Sequence, residues 1–83
     1  MDKELVSKVV LGILKEAARF GGKVRPEDNL EQDLLLDRID IFDVAMDIEE
    51  EFGIYFPEEE IERFEIAQDV IDYVYDKISG LLC

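Results

Sequence analysis

The side chains that could do chemistry in this chain are carboxylates that recur at helical spacing in one short segment. They are Asp37, Asp40, Asp43 and Asp47. Paired carboxylates can act as general acid and general base when a cleft raises the pKa of one carboxyl group above that of the other. A chain of 83 residues leaves little room for such a cleft. We therefore expect no catalytic residue and no enzyme activity.

The chain has even fewer side chains suited to binding a metal ion than to catalysis. The chain has no histidine, and its one cysteine, Cys83, is the last residue, so a zinc ligand set and an internal disulfide are not expected. The acidic residues do not follow the Asp-x-Asp-x-Asp-Gly order of a calcium loop. We predict no metal site and interpret Cys83 as an incidental thiol.

The charge is strongly negative and unevenly placed. The net charge is −13; residues 1–25 hold six basic and three acidic side chains, and residues 26–83 hold three basic and nineteen acidic ones. Such a surface repels phosphate backbones, so we expect no nucleic-acid binding and a partner with a basic surface. No apolar run approaches the roughly 20 residues of a membrane span, which favours a soluble, cytoplasmic protein.

Helical periodicity predicts the elements that position these side chains. An apolar stripe runs from Leu5 to Ala17, and Gly21-Gly22 is expected to end this first helix. Residues 23–36 read as a long loop whose anchors in the core are Val24, Leu30 and Leu34.

The second helix is expected to begin at Asp37, whose side chain can cap it, and to end at Gly53. Its core-facing residues are predicted to be Ile41, Val44, Ala45, Ile48 and Phe52. Ile39 and Met46 fall outside this arc, beside Asp43 and Glu50. They predict an apolar strip edged with carboxylates that suits a basic partner. The alternative is that the long loop covers Ile39 and Met46.

Two further helices complete the prediction. Pro57 opens a short third helix, and the fourth runs from about Ala67 to Ile78 and ends at Gly80. Glu65-Ile66 precedes the fourth helix without a serine or threonine cap, which predicts a weak start. The fold class is all-α: a small four-helix bundle of three longer helices and one short helix, in a single domain over residues 1–83.

Four segments, in this order and spacing, resemble an acyl carrier protein. They are residues 33–40 (Asp-Leu-Leu-Leu-Asp-Arg-Ile-Asp), 45–54, 56–60 and 70–74. The resemblance implies an Asp-Ser-Leu motif at the start of the second helix. A transferase attaches phosphopantetheine from coenzyme A to that serine, and the prosthetic thiol then holds acyl groups as thioesters.

Arg38 stands at the serine position of this motif, between matching Asp37 and Ile39. Arginine has no hydroxyl and stays protonated, so the phosphodiester cannot form there. The chain's serines, Ser7 and Ser79, do not follow an aspartate at a helix start. We expect no cofactor, where an intact family member would carry phosphopantetheine. Arg38 itself either forms an exposed intrahelical salt bridge among the neighbouring acids or contacts a partner.

Another departure from the family pattern is Leu35, where a glycine is usual. It predicts a stiffer or more deeply packed loop. Phe42, Phe56 and Phe64 could fill the space in which family members hold an acyl chain, although aromatic residues are also ordinary core packing.

Three functions remain open. The first is a monomeric, non-carrier docking or regulatory partner of fatty-acid, lipid or polyketide enzymes. The second is a carrier inactivated at Arg38, and the third is a bundle that holds a fatty acid or another acyl chain. For the first function, the predicted partner-binding residues are Asp37, Arg38, Ile39, Asp40, Asp43, Met46, Asp47 and Glu50.

Overall fold

The computed structural model describes residues 2–18 and 22–82. They form four helices: α1 (Lys3–Ala17), α2 (Arg38–Phe52), α3 (Glu58–Ile61) and α4 (Ala67–Leu82). α1 packs against α2 and α4, and α3 packs against α2. The predicted all-α bundle with a long first loop is confirmed. Within the described residues, extended pairing is limited to one isolated bridge between Asn29 and Ile66.

The core forms where the apolar stripes of the three longer helices meet. Its buried helical residues include Val6, Val10 and Leu14 of α1, Val44, Ala45 and Ile48 of α2, and Val70, Ile71 and Val74 of α4. Each large side chain buried in this way contributes about 1.5–3 kcal/mol relative to exposure. No polar or charged side chain of the described residues is buried, so apolar packing holds the helices together.

The long loop between α1 and α2 is fixed to the bundle. Its predicted anchors are confirmed, and one further leucine joins them: Val24, Leu30, Leu34 and Leu36 are all buried. The Leu30 amide donates to the Glu65 carbonyl at 2.9 Å, and the Gln68 amide donates to the Pro26 carbonyl at 2.7 Å. The loop is thus tied to the start of α4 and to the segment just before it.

The ends of two helices differ from the prediction. α1 ends at Ala17, because Ala18 already has an extended backbone (φ −65°, ψ 143°). Its expected stop at Gly21-Gly22 is therefore wrong, and Gly21 itself lies outside the described residues, as does Cys83. α4 continues through Gly80 to Leu82. A glycine costs a helix about 1 kcal/mol relative to alanine but does not terminate it.

The start of α4 is capped by a residue of its own first turn. The Asp69 carboxylate accepts hydrogen bonds from the amides of Glu65 (2.9 Å) and Ile66 (3.1 Å). The first-turn amides of α4 have other acceptors, since those of Ala67 and Gln68 donate to carbonyls of the long first loop, at 3.0 and 2.7 Å. The weak start predicted from the lack of a serine or threonine cap is therefore wrong, because loop carbonyls accept from these amides in place of a cap side chain.

Candidate functional site

The candidate site is built on α2, whose start is defined by two aspartates. Asp37 is the N-cap, and its carboxylate accepts from the Asp40 amide at 2.8 Å. The Asp40 carboxylate accepts from the Asp37 amide at 3.1 Å, which completes a reciprocal capping box. Gly53 ends the helix in the left-handed conformation, at φ 66°. The predicted bounds of the helix are confirmed.

The core-facing and solvent-facing sides of α2 are clearly separated. Val44, Ala45 and Ile48 are buried, whereas Ile39 is 72% exposed and Met46 is 61% exposed. The long loop therefore does not cover Ile39 and Met46, and that alternative is wrong. Residues seven apart lie on nearly the same line of a helix, about 10 Å apart along its axis. Two large apolar side chains thus face water two turns apart.

Carboxylates flank this apolar pair. Asp43 and Glu50 are exposed and project within about 40° of the line that joins Ile39 and Met46. We call Ile39, Asp43, Met46 and Glu50 the α2 strip. Exposed Asp47 and half-buried Asp40 lie to one side of it. With Asp37 and Arg38 at the helix start, all eight predicted partner-binding residues lie on α2 or its N-cap.

Arg38 is the first residue of α2, and its ion-pair partner is Glu62, the C-cap of α3. Of the two interpretations of Arg38, the salt bridge within α2 is wrong, because the ion pair joins two helices. The contact with a partner stays a prediction. The Arg38 side chain is 73% exposed and that of Glu62 is 43% exposed. The sequence did not indicate this pair, because the two residues are 24 positions apart and only the packing of α3 against α2 brings them together.

Leu35 has a left-handed backbone, with φ at 58°. A residue with a Cβ pays roughly 1–2 kcal/mol for this conformation. The Leu35 side chain is 50% exposed, so the interpretation of a more deeply packed loop is wrong at this residue. The backbone keeps a conformation that glycine adopts freely, and the leucine at this position carries the cost.

The interior of the bundle is closely filled. The space between α2, α4 and the loop amounts to about 10 Å³, about the least that holds one water molecule. Phe56 stacks on Tyr73 with ring centres 4.8 Å apart, and Phe64 meets both rings edge-on. In this conformation the core has no space for an acyl chain.

Across the described part of the chain, no three acidic or cysteine side chains are grouped closely enough to hold a metal ion. No described helix combines the length and the apolar character needed to cross a membrane.

Comparison with known proteins agrees with this architecture. No family model matches the chain. The chain is 34% identical over 79 residues to the acyl carrier protein of Thermosynechococcus vestitus. The match covers 95% of this chain and 98% of that protein. The chain belongs to the acyl carrier protein family.

Other members of the acyl carrier protein family are similarly related. The acyl carrier protein of Rubrobacter xylanophilus is 33% identical over 79 residues, covering 92% of this chain and 95% of that protein. Among solved structures, a Toxoplasma mitochondrial acyl carrier protein matches with a TM-score of 0.81 at 28% identity. That match covers 92% of this chain and 90% of the other. The bundle is thus an acyl carrier protein fold from α1 into α4.

Proposed function

We propose that this member of the acyl carrier protein family works without phosphopantetheine, as a docking or regulatory partner of lipid- or polyketide-synthesis enzymes. Arg38 lies directly after the N-cap of α2, where the family resemblance puts the carrier serine. Its guanidinium cannot form the phosphodiester. Ser7 lies inside α1 and Ser79 inside α4, away from any capped helix start.

The observation that carries the docking role is the exposure of Ile39 and Met46 beside the carboxylates of Asp43 and Glu50. An interface would remove these two apolar side chains from water, which favours association. With a net charge of −13, the protein would attract a basic enzyme surface over several ångströms. The apolar pair would then supply short-range contact area.

The proposal has further parts. The protein is a single domain over residues 1–83 and a monomer, it has no catalytic group, and it works in the cytoplasm. Its partner-binding residues extend from Asp37 to Glu50, as named above. A carrier that Arg38 has merely inactivated is the competing function, and the two differ in whether the unmodified chain binds enzymes of lipid synthesis.

Intact-mass spectrometry tests the loss of the carrier role. The wild type and Arg38→Ser are each incubated with coenzyme A and a broad-specificity pantetheinyl transferase. We expect no mass gain for the wild type and a phosphopantetheine mass gain for Arg38→Ser, because the capped helix start and the α2 strip remain available to the transferase. A mass gain on the wild type would refute the proposal.

If neither protein is modified, the transferase no longer recognises this face, and the proposed α2 docking surface loses its support. Arg38→Ala is the matched control: it also removes the guanidinium but supplies no hydroxyl. A mass gain on Arg38→Ala would place the attachment at another residue and would also contradict the proposal.

A further inference from the structure

The outward side of α1 is a face that the bundle leaves open. The residues that α1 buries, Val6, Val10 and Leu14, lie on one side of the helix. On the opposite side, Leu5 is 47% exposed. Three further residues on that side are exposed: Lys8, Gly12 and Lys15. We call Leu5, Lys8, Gly12 and Lys15 the α1 strip.

Gly12 has no packing role within the described chain. It lies in the middle of α1, where a glycine weakens a helix. A Cβ at this position would meet no atom within 4 Å, so close packing inside the bundle does not require a glycine here. A missing side chain on an exposed helix face leaves a hollow that can receive a large side chain of another helix.

The two lysines of the α1 strip are available to another molecule. Among the described residues, neither Lys8 nor Lys15 takes part in an ion pair. Lys3, on the other side of α1, is by contrast paired with Asp72. Lys8 and Lys15 are one heptad apart, which is about 10 Å along the helix axis. The α1 strip therefore presents two unpaired ammonium groups beside a leucine and a hollow.

The α2 strip has the same spacing with the opposite charge. Its apolar pair and its carboxylate pair each repeat after one heptad, as do the Leu5–Gly12 pair and the lysine pair of the α1 strip. Lys8 follows Leu5 by three residues, and Asp43 follows Ile39 by four. With the two helices in register, each lysine thus lies within one residue, about 1.5 Å along the axis, of a carboxylate.

The sides on which the charges lie also match. Viewed from the N-terminus of each helix, the lysines lie about 60° to one side of the Leu5–Gly12 line, and the carboxylates lie about 40° to the other side of the Ile39–Met46 line. Two parallel helices that face each other turn these two sides toward the same edge of their contact. Two antiparallel helices would place the lysines and the carboxylates at opposite edges.

We propose that the α1 strip of one copy of this chain packs in parallel against the α2 strip of a second copy. Leu5 then lies beside Ile39, and Met46 enters the hollow at Gly12, where a flexible thioether side chain adapts to the available space. The lysines of the first copy face the carboxylates of the second. Because the two strips differ, each contact leaves one strip open on either copy, so the assembly grows beyond a dimer.

The contact is weak for two reasons. A pair of single-helix strips falls at or below the low end of specific interfaces, about 1,200 Å². Exposed Glu16 lies beside the α1 strip, and the net charge of −13 makes copies repel one another. The chain is therefore monomeric in dilute solution, as proposed above, and associates at high concentration. This association does not rest on the docking role, although it would cover the same α2 strip.

The test is a concentration series of the wild type, followed by sedimentation and by the amide signals in NMR spectra. A salt concentration of about 0.15 M screens charges more than about 8 Å apart and affects ion pairs in contact much less. We expect the average mass to rise past that of a dimer, and the signals of Gly12 and Met46 to shift together. A mass that stays at the monomer up to about 2 mM, or that stops at the dimer, would overturn the proposal.

Reversal of the charges identifies the contact. Lys8→Glu with Lys15→Glu should weaken the association about tenfold or more, because two ion pairs become contacts between like charges. Asp43→Lys with Glu50→Lys should weaken it as much, although the less negative net charge of this protein reduces the repulsion between whole molecules. The protein with all four substitutions has the net charge of the wild type and should associate as the wild type does. If it does not, the two strips do not face each other.

Lys23→Glu with Arg25→Glu is the matched control, because it makes the same change of net charge at exposed positions of the first loop. It should leave the association nearly unchanged, and a loss equal to that of the α1 strip variant would show that only total charge matters.

Gly12→Gln separates the contact from stability. It should raise the melting temperature, since glutamine favours a helix, and yet weaken the association by filling the hollow. Circular dichroism shows that each variant is folded. Association of Gly12→Gln as strong as that of the wild type would mean that no side chain enters the hollow and would overturn the proposal.

Discussion

Asp37 and Asp40 each accept a hydrogen bond from the other's backbone amide, at 2.8 and 3.1 Å. This reciprocal pair satisfies two amides that the first turn of α2 would otherwise leave open. Asp37→Ala should therefore lower the free energy of unfolding by about 1 kcal/mol, within a range of roughly 0.5–2. Urea denaturation followed by circular dichroism measures this change.

Asp43→Ala is the matched control for Asp37→Ala, because it removes the same charge from an exposed position within α2. Its effect should stay within about 0.5 kcal/mol. If both variants lose the same stability, the loss reflects the charge of the helix and not the capping box.

Leu35 holds a left-handed backbone at φ 58° with half of its side chain exposed. Leu35→Gly should raise the free energy of unfolding by up to about 1 kcal/mol, because relief of roughly 1–2 kcal/mol of strain exceeds the added entropy of an unfolded glycine. Leu35→Val should lower it instead, since a β-branched side chain fits this backbone less well than leucine does. Equal stability of the two variants in urea would show that the backbone at residue 35 is not strained.

The Lys3–Asp72 ion pair joins α1 to α4 at 2.8 Å. The Lys3 ammonium, and then the Gln68 amide, lower the pKa of Asp72 from its usual 3.8. A lowered folded-state pKa stabilises the fold above the unfolded pKa, and this contribution is lost as the pH falls through the folded value. Asp72→Asn should therefore be less stable than the wild type near neutral pH and equal to it in strong acid.

Lys3, the basic partner of this pair, contributes to stability with the opposite pH dependence. The hydrogen bond to Asp72 raises the pKa of Lys3 from its usual 10.5, so the Lys3 contribution is present below that pH and is lost as the pH rises through the folded value. Both side chains are about half exposed, so the effect is small. It is measured as the difference in melting temperature between Asp72→Asn and the wild type across pH.

Local signals in the sequence predicted the bundle because they act within a few residues. Asp37 as an N-cap, Gly53 as a left-handed C-cap and the buried face of Ile48 all follow from spacing along one helix. The satisfied start of α4 does not follow from such local signals, because the carbonyls that accept from its first amides belong to the distant first loop.

The remaining part of the site depends on tertiary packing. Arg38 meets Glu62 only because α3 packs against the start of α2, and no periodicity within one helix encodes that contact. The left-handed backbone of Leu35 was also not expected, since leucine rarely adopts it and the surrounding loop imposes it. The exposure of Ile39 and Met46 depends on the path of the first loop. The sequence does not fix that path, so it allowed the loop either to cover these residues or to leave them open.

Ile39 and Ile48 lie on opposite sides of α2 and should separate docking from stability. Ile48 is fully buried, so Ile48→Ala should lower the free energy of unfolding by about 2–5 kcal/mol. Ile39 is 72% exposed, so Ile39→Ala should change it by less than about 0.5 kcal/mol. Urea denaturation compares the two variants.

A competition assay measures docking. The transferase modifies Arg38→Ser, and either the wild type or Ile39→Ala is added as a competitor. The wild type should inhibit this reaction, and Ile39→Ala should inhibit it several-fold less while remaining fully folded. Raising the salt concentration should weaken inhibition by the wild type. Dissolved ions screen the attraction between exposed charges, and at about 0.1 M salt this attraction already fades over about 10 Å. Equal inhibition by the wild type and Ile39→Ala would show that the apolar strip does not contact the enzyme, and inhibition unchanged by salt would remove the role of its carboxylates.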